Sequence, residues 1–319
     1  MVRLFSEFVI EQVKDYLPVK YQGIECKIVE HLGNNGVNRT GIEFRKPGGD
    51  MRHTIYMDSY YEKMKEGKSK EAIMGEITEM MKSGYDMGGE LKEPVLKDFQ
   101  QVKPFLKVFL VNTKANRRKL FHMPYMEMED LSMVCRVHAS LPGWTEDMEV
   151  TDGYLERWGI SKEALFGAAL KNMWESRDYV MQEGDSKVDA CLSGFPEPEN
   201  LLDTPDSLVL SQREPIYVLT NKEENRGASA VLCPRVMEKV CMLLPEGFYI
   251  LPSSIHEVMI VPKGEEKGPK ELGKLVRDIN LIAVQREEIL SDRIYEYDRE
   301  AKRIRQVPES MRKMEEMER

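Results

Sequence analysis

Between Tyr249 and Val261 the chain reads YILPSSIHEVMIV: two short apolar runs rich in Ile, Val and Tyr enclose Pro252-Ser253-Ser254-Ile255-His256-Glu257. Runs this short, punctuated by Pro252 and Pro262, predict two strands joined or bent at the polar segment. Polar groups between buried strands must be either satisfied or put to use. Hydroxyls, an imidazole and a carboxylate crowd together here between two apolar runs, so the constraint on fold and chemistry starts at this segment.

The surrounding sequence extends the pattern. Ile216 to Thr220 reads as a strand, Ala228 to Leu244 as a helix broken early by Pro234, and Phe248 to Leu251 and Val258 to Val261 as strands. Pro269 to Val284 is a helix with Leu272, Leu275, Val276, Ile279 and Ala283 inward, and Arg293 to Tyr297 a last strand. That order is split-βαβ-like, and it would set Ser253 to Glu257 at a turn or bulge on the sheet rim.

Upstream, Leu4 to Tyr16 carries a helical apolar stripe, and Cys26 to Val29, Gly41 to Arg45 and Thr54 to Met57 are short strand candidates. They are separated by Asn- and Gly-rich turn chemistry. Ser69 is placed to cap a helix with Ile73, Met74, Ile77, Met80 and Met81 on one face, ending near Gly84. Phe105 to Val111, Leu131 to Ala139 and Met148 to Thr151 read as strands. Thr151 or Asp152 can cap Tyr154 to Trp158, Gly159 can stop that helix, and Ser161 can start Lys162 to Trp174. The expectation is α+β, with antiparallel or mixed sheets and helices packed on them. An N-terminal α/β domain of residues 1–90 precedes a larger α+β domain of residues 94–307, with a linker at Met87 to Pro94, a long loop over 184–208 and a charged tail over 308–319.

Composition removes several function classes. Acidic residues outnumber basic ones 55 to 46, the wrong sign for a chain that lives on phosphate backbones, so nonspecific nucleic-acid binding is disfavoured. No run of about 18 apolar residues is present, and the first residues alternate apolar side chains with charge instead of making a secretion signal, which points away from membranes and to the cytoplasm. The cysteines at 26, 135, 191, 233 and 241 form no CxxC and mostly sit in apolar runs, the pattern of reduced, buried thiols. The histidines at 31, 53, 122, 138 and 256 offer neither HxH nor HExxH, so neither a metal nor a cofactor is expected. The methionines at 74, 80 and 81 share a stripe and read as core filler.

Three constellations carry possible chemistry. Ser253 or Ser254 as nucleophile, His256 as base and Glu257 or a distant Asp as orienter would make a hydrolase. On an extended strand, however, Ser254 and His256 lie about 6 to 7 Å apart and Glu257 points to the other face, and no GxSxG elbow is present. The competing reading has the hydroxyls satisfying backbone groups while His256 packs at a sheet rim. Thr220, Asn221, Arg226 and Ser229 outline a strand-to-helix loop of the kind that receives anions on free N–H groups. It lacks GxGxxG and GK[ST], and Glu223 and Glu224 stand beside Arg226. Residues 153–174 have the spacing of a helix-turn-helix nucleic-acid binder, but the second helix is dominated by Leu165, Phe166, Ala168, Ala169 and Leu170, a composition made for a core. Arg117-Arg118-Lys119, the densest basic run, reads as a solvated loop.

NNGVNRTGI, TIYMDSYYEKMKEGKS, WGISKEALFGAALKN, YVLTNKEENRGAS, YILPSSIHEVMIVP and REEILSDRIYEYDRE occur in one order along the chain. In these segments the sequence resembles an uncharacterised bacterial group, domain of unknown function family 5688, over nearly its whole length. Residues 158–261 more distantly resemble domain of unknown function family 1444. The resemblance implies a cytosolic bacterial protein and supplies no catalytic residues. The expectation is a non-enzymatic binding or regulatory protein with a protein or small-molecule partner, the hydrolase and the helix-turn-helix binder being its alternatives.

Overall fold

The computed structural model describes residues 1–48, 52–86, 97–141, 144–184, 199–211, 216–264 and 268–308. The linker at Met87 to Pro94, Cys191, most of the 184–208 loop and the tail beyond residue 308 lie outside the described residues. The chain is mixed α+β and divides into two compact units, residues 1–104 with 137–148, and residues 105–136 with 149–319.

In the first unit α1 (Val2–Tyr16) buries Phe5, Val9 and Val13, four residues apart and so on one face. The sheet is an antiparallel meander of β1 (Glu25–Leu32), β2 (Asn38–Arg45) and β3 (His53–Tyr56). Helix α2 (Asp58–Lys65) buries no residue, and α3 (Lys70–Asp86) turns Ile73, Met74, Ile77 and Met81 inward. The Ser69 hydroxyl accepts the Ala72 N–H at 3.2 Å, which starts α3. Ile42, Phe44, Ile55 and Met57 complete a core with the helix stripes. At about 1.5–3 kcal/mol for each fully buried side chain, this cluster is the main stabilising term of the unit. Ile77→Ala alone would cost about 2–5 kcal/mol. A one-turn α4 (Phe99–Val102) follows.

The other two sheets draw most of their strands from the second unit. In the smaller, β4 (Leu106–Asn112) and β5 (Tyr125–Met128) flank β6 (Leu131–Leu141), and β7 (Trp144–Glu149) also pairs with β6. A short α5 (Arg117–Leu120) joins β4 to β5. Two helices follow, α6 (Asp152–Trp158) and α7 (Lys162–Glu175). Thr151 holds the N-cap position of α6 without a side-chain bond, Gly159 ends that helix at φ 62°, and the Ser161 hydroxyl caps α7 by accepting from Ala164 N–H. Gly159 is needed there because a side chain is strained in the left-handed region. Helix α7 packs on β4: Met173 Sδ accepts the Val108 N–H, and Asn172 Nδ2 donates to Leu106 O at 3.0 Å.

The larger sheet contains β8 (Tyr179–Glu183), β9 (Tyr217–Asn221), β10 (Phe248–Leu251), β11 (Val258–Pro262), β12 (Tyr295–Asp298) and β13 (Arg303–Gln306). They run in the order β13-β12-β10-β11-β9-β8 with every described neighbour pair antiparallel. Strand β11 therefore lies between β9 and β10. A 3₁₀ stretch (Gly227–Leu232) leads into α8 (Pro234–Leu243), where the sequence suggests one helix interrupted by Pro234, and α9 (Pro269–Ile282) connects β11 to the segment before β12. Leu251, Val261, Leu272, Val276 and Ile294 form the core on the α9 side. The sequence reading omits β5, β8, β13 and α2.

Candidate functional site

The Pro252–Glu257 connection leaves β10 at Leu251 and re-enters the sheet at Val258. Six residues are too many for a tight hairpin, so their backbone groups need partners from elsewhere. One set comes from the segment after α9. Ile255 N–H donates to Glu288 O at 2.8 Å, Leu290 N–H to Ser253 O at 3.0 Å and Ser291 N–H to Pro252 O at 3.0 Å, around an isolated antiparallel bridge between Ser254 and Ile289. The other set comes from the loop after β9: Ala228 N–H donates to Ile255 O at 3.2 Å and Thr220 Oγ1 to His256 O at 2.8 Å.

The second set demands a glycine. A Cβ on Gly227 would lie 2.3 Å from Thr220 Oγ1, 2.5 Å from Asn221 N and 2.8 Å from His256 O. The 3₁₀ stretch can therefore approach β9 and the connection only because residue 227 has no side chain.

His256 stands where the two loops meet. The Arg226 N–H donates to its Nδ1 at 3.2 Å, so the neutral ring carries its proton on Nε2, which lies 3.4 Å from Glu288 Oε1. Imidazole and carboxylate are each about one-third exposed. In the same turn, the Ser254 hydroxyl accepts the His256 backbone N–H at 3.0 Å, and Ser253 is buried. A general base needs a lone pair aimed at the nucleophile. Here one ring nitrogen accepts from Arg226, and the other, protonated, faces Glu288. The carboxylate at Nε2 is thus Glu288 from the 285–291 segment, while Glu257 is the next residue along the chain.

Thr220, Asn221, Arg226 and Ser229 converge on the same junction. Asn221 closes the loop on itself, accepting Asn225 N–H at 3.1 Å and donating to Asn225 O at 2.8 Å, and Ser229 Oγ donates to Arg226 O at 3.3 Å. The N–H groups of Glu224, Asn225, Arg226 and Ala228 are all bonded within the protein, so the backbone here is no phosphate cradle. Two clusters that look separate in the sequence are one structure.

Several residues of this neighbourhood are missed by sequence reasoning. Asp130 accepts from Tyr295 OH and, at 2.8 Å, from Ser291 Oγ, while Asn112 Nδ2 donates to Leu290 O. This half-buried network fixes the segment that carries Glu288. Burial first, and the Asp130 charge second, push the Tyr295 phenol well up. Lys119, expected in a solvated loop, lies on α5 with its side chain only 21% exposed and pairs with Glu149. Arg136 NH1 reaches the same Glu149 Oε1 at 2.5 Å. The only sequence signal for any of these is the isolated apolar pair Ile289-Leu290 inside REEILSD, the mark of a segment that is fixed down and not solvated.

On the helix pair, α7 buries Leu165, Phe166, Ala168, Ala169 and Met173. Its exposed residues include Lys162, Glu163, Lys171 and Glu175, and Lys171 faces Glu175 at 3.8 Å. That surface is balanced, where a recognition helix is basic. Among the described residues no group of three or more His, Cys, Asp or Glu is placed to hold a metal ion, and no helix is long and apolar enough to cross a membrane. The described cysteines are free thiols, and burial pushes that of Cys26 up to about 11, which makes it a poor nucleophile.

Fold and junction together define a mixed α+β protein whose most polar connection is bonded into its own backbone. Residues 2–299 match a family of unknown function (DUF5688), and the chain belongs to that family. No curated protein and no solved structure matches it.

Proposed function

We propose that the chain is a non-enzymatic binding or regulatory protein acting in the cytosol, with the loop 220–229 and the Pro252–Glu257 connection as a rigid junction that positions the residues around it. The observation that carries this reading is the engagement of His256 at both ring nitrogens, by Arg226 N–H at 3.2 Å and Glu288 at 3.4 Å. Ser254 is engaged as an acceptor in the same turn, so the hydrolase reading finds a base with its acceptor nitrogen already taken. Free thiols at Cys26, Cys135, Cys233 and Cys241 suit a reducing compartment.

The test compares the parent with His256→Ala. Loss of the acceptor for Arg226 N–H and of the Glu288 contact should destabilise the protein by about 1–3 kcal/mol, and neither protein should turn over chromogenic esters or amides. A parent that hydrolyses such a substrate, beside a His256→Ala protein that melts like the parent without turnover, would overturn the reading and make Ser253 and Ser254 the next positions to change.

A further inference from the structure

On α8, Arg235, Glu238, Lys239 and Met242 recur at the three- and four-residue spacing of one helix face. With Val236 of the same helix, Leu202 and Asp206 of the segment before β9, and Arg177 between α7 and β8, they line a cavity of about 260 Å³. That is just under the roughly 300–1,000 Å³ of typical ligand pockets, a size for a small molecule.

The walls of this cavity are held in place by bonds of their own. Asn200 accepts Met181 N–H at 2.9 Å and donates to Tyr179 O at 3.2 Å, which ties the 3₁₀ turn Leu201–Asp203 to β8. Leu210 N–H donates to Leu243 O at 2.8 Å and ties the far end of the segment to α8. Between these points Lys239 Nζ, on a side chain only 10% exposed, donates to Thr204 O at 2.5 Å and to Asp206 Oδ1 at 2.9 Å. Arg235 donates from a terminal nitrogen to Ser176 O at 2.6 Å, which brings the neighbouring Arg177 to the same cavity.

The carboxylates of the lining already have cations. Lys239 takes Asp206, and Lys302 takes Glu238 at 2.7 Å. Among the described residues neither Arg177 nor Arg235 meets a carboxylate. Both guanidiniums are exposed and solvated by water, yet both open on one cavity whose apolar wall is Leu202, Val236 and Met242. Met242 is 48% exposed, a large apolar side chain left in water beside two unmatched cations.

We infer that this cavity binds a small organic carboxylate, its oxygens on the guanidinium forks of Arg177 and Arg235 and its apolar body against Leu202, Val236 and Met242. Arginine's planar fork matches a carboxylate edge, and the apolar wall selects an anion that carries hydrocarbon over a bare ion. A phosphate dianion fits less well, because Asp206 and Glu238 also line the cavity and repel a second negative charge. The cavity shares no residue with the His256 junction, so its ligand does not depend on whether that junction is catalytic.

The experiment uses the full chain in chloride buffer at constant ionic strength and follows melting temperature and heat of binding with sodium benzoate as the probe. Benzoate should bind the parent and raise its melting temperature, since the cavity exists only in the folded state. Benzamide, which keeps the ring without the charge, and acetate, which keeps the charge without the ring, should each bind at least about tenfold more weakly. Arg177→Gln changes an exposed side chain and should weaken benzoate by at least about tenfold while the unliganded protein melts within about 2 °C of the parent. Met242→Glu adds a carboxylate to the lining and should weaken it by a similar factor. Benzoate that binds parent and Arg177→Gln equally, or that gives neither heat nor a melting shift at about 10 mM, overturns the site. If Arg177→Gln does not fold, Met242→Glu decides by the same comparison. Phenyl phosphate binding more tightly than benzoate overturns the carboxylate assignment.

Discussion

Alanine at Gly227 adds one methyl group where the protein has no room for it. The new carbon would sit 2.5 Å from Asn221 N and 2.8 Å from His256 O. Both are backbone atoms of sheet strands or their connection, and neither can swing aside like the end of a side chain. Relief requires the 3₁₀ stretch to move off β9 by roughly an ångström, an overpacking strain of about 1–3 kcal/mol. That movement also breaks the Ala228 to Ile255 hydrogen bond, and the methyl, 2.3 Å from Thr220 Oγ1, pushes that hydroxyl off His256 O, each bond being worth about 1 kcal/mol. The smaller entropy of an unfolded chain with alanine gives back about 0.4–1 kcal/mol. The net expectation is a loss of about 3 kcal/mol, which for a unit of this size lowers its melting temperature by about 6–12 °C. Gly167→Ala is the control: the same methyl on the exposed side of α7 meets nothing within 4 Å and should stabilise by about 0.5–1 kcal/mol through helix propensity. Scanning calorimetry of the three proteins measures both shifts. A Gly227→Ala protein that melts within about 2 °C of the parent would refute the close-approach argument.

Thr220→Val keeps the shape and deletes the hydroxyl that bonds His256 O, so urea unfolding should show a loss of about 1–2 kcal/mol, and a loss no larger than that of a surface substitution would mean the carbonyl finds another donor. Burial acts to raise the Glu149 carboxyl, but Arg136 and Lys119 outweigh it and hold the group below its ordinary 4.5. Its stabilisation is then complete above the unfolded value and lost as pH falls through the folded one. Urea midpoints taken from about pH 6 down to about pH 3 should fall less steeply for Glu149→Gln than for the parent, and equal slopes would exclude Glu149 from the acid limb. Because the described cysteines are free, a thiol reductant should leave the melting temperature unchanged. A drop of several degrees would reveal a bond that stabilises the folded state.

Much of the local structure is legible in the residues. Ser69 and Ser161 start helices and Gly159 ends one because caps are decided within a few residues by side-chain reach and by glycine's freedom at positive φ. The two strands flanking Pro252–Glu257 are equally plain, since both are buried and nearly every position is apolar. Helix α2 is not legible: none of its residues is buried, so no apolar stripe marks it. Strand β13 buries a single residue of four, Ile304, too little alternation to stand out from a charged loop.

The candidate site divides the same way. From the sequence alone, the α+β class, the main helices and strands and the concentration of polar groups at Ser253 to Glu257 are determined, because each depends on periodicity or turn chemistry within a short span. What those polar groups do was decided by residues far along the chain. Arg226 and Glu288 reach the two nitrogens of His256 from opposite sides, and Gly227 lets the loop come close enough for the first of these contacts. Lys119 and Arg136 come to one carboxylate oxygen from a helix and a strand. Hydrogen bonds and ion pairs act over a few ångströms with no regard for sequence separation, so their partners follow from strand order and loop approach, which only the tertiary structure establishes.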